Sequence, residues 1–480
     1  MLVASLGVLG VLWVRCVVLQ VIDPHRYAAT AKTQQRSVQT LPAVRGGIFD
    51  RSGRPLAVSI PVPSVFANAR QVTAKQALAK DLAKIVGQDA GMVQRRLEKD
   101  KGFVWIARQV EPSVAPALLT FRKSGVGMME EPKRFYPQGK TASHILGFTD
   151  IDGRGLEGIE LYFNGMLRGQ SGWRHTPRDA KGDLLIGPWT TETLPTDGFD
   201  LVLTIDSVVQ QAAEEALAWG VKKYHAKGGS ILVMDPASGA ILAMANAPSF
   251  DSNEPGEAPA DARRNRTVTD MFEPGSIFKV VTAAALLNEG RVRLDETFFC
   301  EQGSWPTVAG HILHDHTGHG VLSFHDIIKL SSNIGTAKAA QRLAPEELYA
   351  YIRAFGFGRK TDVDVPGEVG GMVPPPRQWW KVSMYNIPIG QGIAVTPIQL
   401  AVMTSVIANG GLRVTPHVVD RIQTADGRVV RSAALDEPIR VITPETADAV
   451  QQMLTSVVES GTGQLANVQG LTVAGKTGTA

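Results

Sequence analysis

Three short polar motifs lie far apart in this chain, and any fold that uses them together must bring distant segments to one place. They are Ser276-Ile277-Phe278-Lys279, Ser331-Ser332-Asn333 and Lys476-Thr477-Gly478. A serine hydroxyl is a weak nucleophile and needs a base. Ser276 and Lys279 are three apart on an expected helix over residues 276–287, so they share a face. Pro274-Gly275 sets Ser276 at the helix start, where free amides and the helix dipole favour developing negative charge. The rest of that helix is nearly all apolar. Desolvation there would depress the Lys279 pKa and let a neutral amine accept the Ser276 proton.

Each motif alone has a bland reading. Composition produces S-x-x-K by chance. Ser331-Ser332-Asn333 reads as a polar turn after a helix over residues 325–330, and Lys476-Thr477-Gly478 as the end of a strand over residues 471–474. The glycine of the third motif would let an extended substrate backbone lie along a strand edge. What makes the set specific is the order of the three, with gaps that fit one domain.

At 480 residues, two or three domains are expected. A net charge of +3, from 49 basic and 46 acidic residues, carries no nucleic-acid signal. Residues 2–22 are apolar apart from Ser5, Arg15 and Gln20, about long enough to cross a bilayer. No small-x-small cleavage site follows, so an uncleaved anchor is favoured over a signal peptide. Cys16 and Cys300 are expected to be free. A bond between them would join a membrane segment to a soluble domain, and Cys300 reads as a half-buried strand thiol.

Along the chain, residues 50–53 form a turn between two short strands, and Lys75–Val86 is helical with Leu78, Leu82 and Ile85 on one face. A turn cluster at Pro195-Thr196-Asp197-Gly198 marks a boundary. A strand over residues 201–205, a helix over Ser207–Tyr224 capped by Asp206, and two hairpin strands over 229–235 and 240–246 follow. Pro397–Ala408 is an apolar helix with Thr396 as its cap. His311, His314, His316 and His319 are close enough for zinc, but their segment is turn-rich and the non-metal reading is favoured. Trp379-Trp380 is expected to pack.

The segment running from Arg264-Asn265-Arg266 to Glu273-Pro274-Gly275-Ser276 resembles class B penicillin-binding proteins, especially the division-specific type, penicillin-binding protein 3. So do residues 45–58, Gly155-Leu156-Glu157-Gly158-Ile159-Glu160, and Gly390-Gln391-Gly392 with Thr396-Pro397. The resemblance runs the length of the chain, in family order. It implies an α+β, multidomain protein. Residues 1–22 would be a transmembrane anchor and 23–197 a mixed α+β, non-catalytic pedestal of the dimerisation type. Residues 198–480 would form a β-lactamase/transpeptidase-like domain, an antiparallel sheet flanked by helices.

The implied reaction is a two-step acyl transfer. Ser276 attacks the penultimate D-alanine carbonyl of a stem peptide, with Lys279 as base and the N–H groups of Ser276 and Thr479 as oxyanion hole. Ser331 relays a proton to the departing D-alanine, Asn333 holds the donor peptide, and Lys476, Thr477, Gly478 and Thr479 form the substrate-binding strand. A second peptide's amine takes the acyl group, giving a cross-link in the septal wall. β-Lactams acylate the same serine. The resemblance implies no metal and no cofactor.

Implied partners are stem peptides of a lipid-linked precursor, β-lactams, the cytoplasmic membrane and division-complex membrane proteins including a polytopic glycosyltransferase. Nucleic acid is not among them. The catalytic domain would face away from the cytoplasm. A class A β-lactamase would be shorter, free and without a pedestal. A D,D-carboxypeptidase would use the same site with water as acceptor, and an elongation-type protein would share both domains. A β-lactam sensor would carry several membrane segments, and an inactive scaffold would be expected to lose Ser276 or Lys279. In families of this fold, two later strands separate the Lys-Thr-Gly strand from the strands at Gly229 and Ala240. The chain is therefore expected to lack its last strands and not to be competent alone.

Overall fold

The computed structural model describes residues 2–18, 36–99, 101–121, 124–177, 190–308, 310–433 and 436–479. They divide into two compact units. One comprises residues 1–46 and 165–199, the other residues 47–164 and 200–480.

In the first unit Leu2–Val17 is a helix. It is shorter than the run of about 20 residues that a bilayer needs. Among the described residues no helix is long and apolar enough to cross a membrane, and residues 19–22 of the expected anchor lie outside them. Strands Arg36–Leu41, Gly172–Pro177 and Thr191–Thr193 form an antiparallel sheet. Asp197 accepts a hydrogen bond from Val44 N at 2.8 Å.

The second unit is built on a seven-stranded mixed sheet. Ile48–Phe49 pairs antiparallel with Pro55–Ala67 and parallel with Asp200–Leu203, and Val419–Gln423 continues the sheet on the far side of Asp200–Leu203. The sheet therefore takes strands from both sides of the 195–198 turn cluster. Of the two short strands expected around residues 50–53, only the first is short. The second extends over Pro55–Ala67, because Val126–Phe135 pairs with it from Val58 to Ala67. Between them Asp50 is fully buried. Its carboxylate accepts from Ser52 N and Arg54 N, both at 2.8 Å, and from Ser207 Oγ at 2.7 Å. One short turn thus closes the hairpin and fixes the start of the next helix.

That helix, Ser207–Tyr224, has the expected Asp206 cap, which accepts from Val208 N and Val209 N. It packs on an antiparallel pair, Gly229–Met234 and Ile241–Ala247, the first one residue shorter than expected and the second shifted by one. Lys75–Val86 and Pro397–Ala408 are helices as expected, the latter with a Thr396–Gln399 capping box. The main core gathers Phe278, Val281, Phe324, Ile334, Leu454 and their neighbours. Cys300 belongs to it. It follows strand Thr297–Phe299 rather than sitting in it and is fully rather than half buried, since its thiol lies under Gly335.

Two expectations are corrected. The helix expected from Ser276 opens with a 3-10 turn, Gly275–Phe278, and becomes α-helical only at Lys279–Asn288. Residues 471–474 are not a strand. A strand exists only as part of a ladder, and among the described residues this segment has no strand neighbour. It is held instead near its end, by Gly475 N donating to Leu454 O at 3.1 Å.

Arg134 and Glu160 form a buried ion pair at 2.6 Å, with side chains 3% and 0% exposed. Removing one partner of such a pair strands a charge, at a cost of about 3–5 kcal/mol. Glu160→Ala should lower the unfolding free energy by that amount in urea denaturation. A loss below about 1 kcal/mol would mean that the pair is effectively solvated.

Candidate active site

In a 3-10 turn residues three apart eclipse one another, so Ser276 sits directly over Lys279. Backbone contact forces this tight geometry. Gly275 (φ +52°) donates its N–H to Gly390 O at 3.1 Å, and a Cβ on Gly390 (φ +85°) would lie 2.1 Å from Gly275 O. Gly390 is therefore pressed against the Ser276 turn with no room for a side chain. Glu273 fastens the other end by accepting from Gly392 N at 2.8 Å. Ser276 is half-buried, and its Oγ has no hydrogen-bond partner among the described residues.

Lys279 is fully buried. Its Nζ bonds not to Ser276 but to the second motif, donating to Ser331 O at 2.6 Å and Ser331 Oγ at 3.2 Å. Burial, and then the nearby charge of Lys476, hold its pKa well below the usual lysine value, with Asp315 pulling the other way. Lys476 Nζ reaches the same Ser331 Oγ at 2.9 Å and donates to Thr477 O at 3.0 Å. Burial pushes Lys476 down to about 8. Ser331 Oγ thus bridges two lysine amines.

The second motif earns this position through strain. Ser331 has φ +61°, a region that L residues other than Asn and Asp seldom occupy. Such outliers cost about 1–3 kcal/mol and persist where neighbours enforce them. Ser332 caps the helix Asn333–Ala340 through Gly335 N. Asn333 Nδ2 donates to His314 O at 2.8 Å.

On the third motif, Gly478 crosses the nucleophile turn. A Cβ there would meet Ile277 Cγ1 at 2.6 Å. Thr477 Oγ1 bonds Thr462 Oγ1 at 2.7 Å. Ser276, Ser331, Asn333, Thr477, Gly478 and Thr479 line one cavity of about 300 Å³, with Lys279 buried beneath.

The structure brings into the site residues that the sequence reasoning had not placed there. Asp315, His316, His319, Gln391 and Thr462 also line the cavity. Gly461-Thr462-Gly463 was a visible glycine-flanked signal, and Asp315 lay inside the histidine cluster that was weighed for zinc. Among the described residues no group of three or more His, Cys, Asp or Glu could hold a metal ion. Two of the four histidines face the cavity instead. Of the tryptophan pair, Trp379 packs on the core and donates to Pro374 O at 2.8 Å, whereas Trp380 is 82% exposed and does not pack.

Residues 229–480 match the penicillin-binding protein transpeptidase domain family, and residues 40–203 the penicillin-binding protein dimerisation domain family. The chain is 34% identical to penicillin-binding protein PbpB of Mycolicibacterium smegmatis, over 99% of this chain and 79% of that protein. It is 32% identical to peptidoglycan D,D-transpeptidase FtsI of Escherichia coli, over 96% of this chain and 77% of that protein. Among solved structures, penicillin-binding protein 3 of Mycobacterium tuberculosis in complex with aztreonam is similar at a TM-score of 0.70 and 30% identity, covering 92% of this chain and 82% of that one. The chain therefore belongs to the penicillin-binding proteins that join a dimerisation domain to a transpeptidase domain. Within them it is a class B protein of the penicillin-binding protein 3 type.

Gly390→Ala tests whether backbone packing positions the nucleophile. Displacing a reacting group by about 1 Å can cost about 100-fold in rate. Acylation by a fluorescent penicillin should slow by that order with the far-UV circular dichroism retained. An unchanged rate would show that the turn tolerates the displacement.

Proposed function

We propose that the chain is a serine D,D-transpeptidase that cross-links peptidoglycan stem peptides through an acyl-Ser276 intermediate during septal wall synthesis. The observation that carries this reading is the chain Lys279 Nζ–Ser331 Oγ–Lys476 Nζ under the cavity that exposes Ser276.

Lys279, whose amine burial pushes toward the neutral form, takes the Ser276 proton as Oγ attacks the penultimate D-alanine carbonyl. The N–H groups of Ser276 and Thr479 receive the oxyanion, where fixed donors act before the charge develops. When the tetrahedral intermediate collapses, the C–N bond breaks. The proton on Lys279 passes through Ser331 to the leaving amine, and D-alanine departs. A second stem peptide's amine attacks the ester, its proton returns along the same path, and Ser276 is regenerated as the new amide forms. Asn333 holds the donor peptide, and Lys476, Thr477 and Thr479 bind its carboxylate, with Gly478 giving backbone access. β-Lactams enter as mimics of the donor. The relatives support this. Escherichia coli FtsI is named a peptidoglycan D,D-transpeptidase, and penicillin-binding protein 3 of Mycobacterium tuberculosis has been solved with aztreonam and with ampicillin.

In this reading residues 1–22 anchor the protein in the cytoplasmic membrane, residues 23–197 form the pedestal, and residues 198–480 form the transpeptidase domain beyond the cytoplasm. Division-complex membrane proteins, including a polytopic glycosyltransferase, are its partners.

A fluorescent penicillin should label the protein at Ser276, and Ser276→Ala should abolish the label. Labelling that survives this substitution would overturn the assignment of the nucleophile. The pH dependence is also set. Lys279 must be neutral, so acylation rises with pH as it loses its proton. Lys476 must be charged to hold a carboxylate, so acylation falls as pH climbs past about 8. The profile should be bell-shaped with its alkaline midpoint near 8. In Lys476→Arg, which stays charged, that limb should vanish. An alkaline limb unchanged in Lys476→Arg would assign it to another group.

A further inference from the structure

Asp315 lines the cavity that holds Ser276, and its carboxylate is committed to the second motif. Oδ2 accepts from Ser332 Oγ at 2.6 Å. Oδ1 accepts from Asn333 N and, at 3.0 Å, from Ile334 N. Ser332 Oγ in turn accepts from Gly335 N at 2.9 Å. Asp315 and Ser332 therefore satisfy the amides of Asn333, Ile334 and Gly335, three of the donors that a helix start leaves without partners. Asp315 is itself fixed, because its N–H donates to Gly303 O at 3.1 Å.

The residue just before this cap is Ser331, at φ +61°. That conformation turns both Ser331 oxygens toward Lys279. It is unfavourable by itself, so something must clamp the amides that follow, and the clamp is the Asp315 carboxylate. A carboxylate at this point has a second effect. The charged groups that act on Lys279 are Lys476, on the Lys-Thr-Gly segment, and Asp315, ahead of the Asn333 helix, and they act in opposite directions. His316 and His319 face the same cavity.

We propose that Asp315 is a positioning residue for acyl transfer: its carboxylate clamps Ser331 in the conformation that presents two oxygens to Lys279, and its charge offsets that of Lys476 at the base. This rests on the reading of Ser276 as nucleophile and Lys279 as base. The two functions of the carboxylate separate by substitution. Ser332→Ala removes the hydroxyl that joins the cap and leaves the charge in place. Asp315→Asn keeps the size and removes the charge.

The experiment measures the rate of fluorescent-penicillin acylation of the purified protein from pH 5 to pH 9, with the Lys279 side chain titrated in parallel by carbon NMR of lysine-labelled protein. Both variants should acylate about 10-fold more slowly or worse. Only Asp315→Asn should also move the acid limb and the Lys279 titration to lower pH, by about one unit, since losing a nearby negative charge disfavours the ammonium form. Should Asp315→Asn not fold, Asp315→Ser replaces it, since its hydroxyl is small and polar and carries no charge. A slower Asp315→Asn with an unmoved acid limb and an unmoved Lys279 titration would reduce Asp315 to a helix cap and overturn the proposal. Absence of labelling at Ser276 in the unsubstituted protein would instead overturn the functional reading, and the Lys279 titration would still decide whether Asp315 acts on that amine.

Discussion

A lysine amine with no solvent exposure is the constraint on which the site depends. Burying an ammonium without a carboxylate partner is costly, and a lysine so placed gives up its proton more readily. Lys279 has a carbonyl and a hydroxyl as its partners, both from Ser331. The carbonyl accepts only from an N–H, whereas the hydroxyl can accept from an ammonium or donate to a neutral amine. Lys279 can therefore be satisfied in either protonation state. Aspartate in place of Ser331 would hold the amine charged, so that it could not accept a proton.

Keeping the amine dry requires the rest of the fold. The helix that carries it is buried along nearly its whole length, against Phe324, Ile334 and Leu454 of three other helices. Water is excluded from one side by that core, and the cavity opens on the other. Ser276 stands at the boundary, its turn held on one side by backbone at Gly390 and on the other by the Ile277 side chain under Gly478. Gly390 meets Gly275, and Gly478 meets Ile277. Side chains can adjust their rotamers, but the backbone of Gly275 and Gly390 cannot, so a side chain at Gly390 would displace the turn that carries Ser276.

What could be read in the sequence follows the range of the interactions. Helices Lys75–Val86, Ser207–Tyr224 and Pro397–Ala408 were legible because periodicity and caps are local. The Asp206 and Thr396 side chains bond within three residues of themselves. Ser276 and Lys279 were legible for the same reason, being three apart. The 3-10 turn beneath them was not, because it is imposed by Gly390, more than a hundred residues away. Nor was Asp315 singled out, since its partners Ser332 and Asn333 lie beyond a strand and a helix. The strand expected at residues 471–474 shows the limit from the other side. Apolar character indicates a segment able to join a sheet, but a ladder needs a second backbone, and no local pattern reports whether one is there.

The Ser331 turn shows how these ranges combine. A serine in the left-handed region is a local liability, and within Ser331-Ser332-Asn333 the Ser332 hydroxyl compensates for it only in part. The rest is assembled from outside. Asp315 and the Ser332 hydroxyl hold the amides that follow, Lys279 and Lys476 hold the oxygens of Ser331 itself, and Asn333 is tied to His314. Each of these bonds contributes about 1–3 kcal/mol, and together they draw on the Asp315 loop, the Lys279 helix and the Lys-Thr-Gly segment. The strained turn is therefore stable only when all those segments are in place together. The hydroxyl that bridges the two lysine amines is positioned by the folded unit as a whole, and so the second motif acquires its meaning only in company with the first and third.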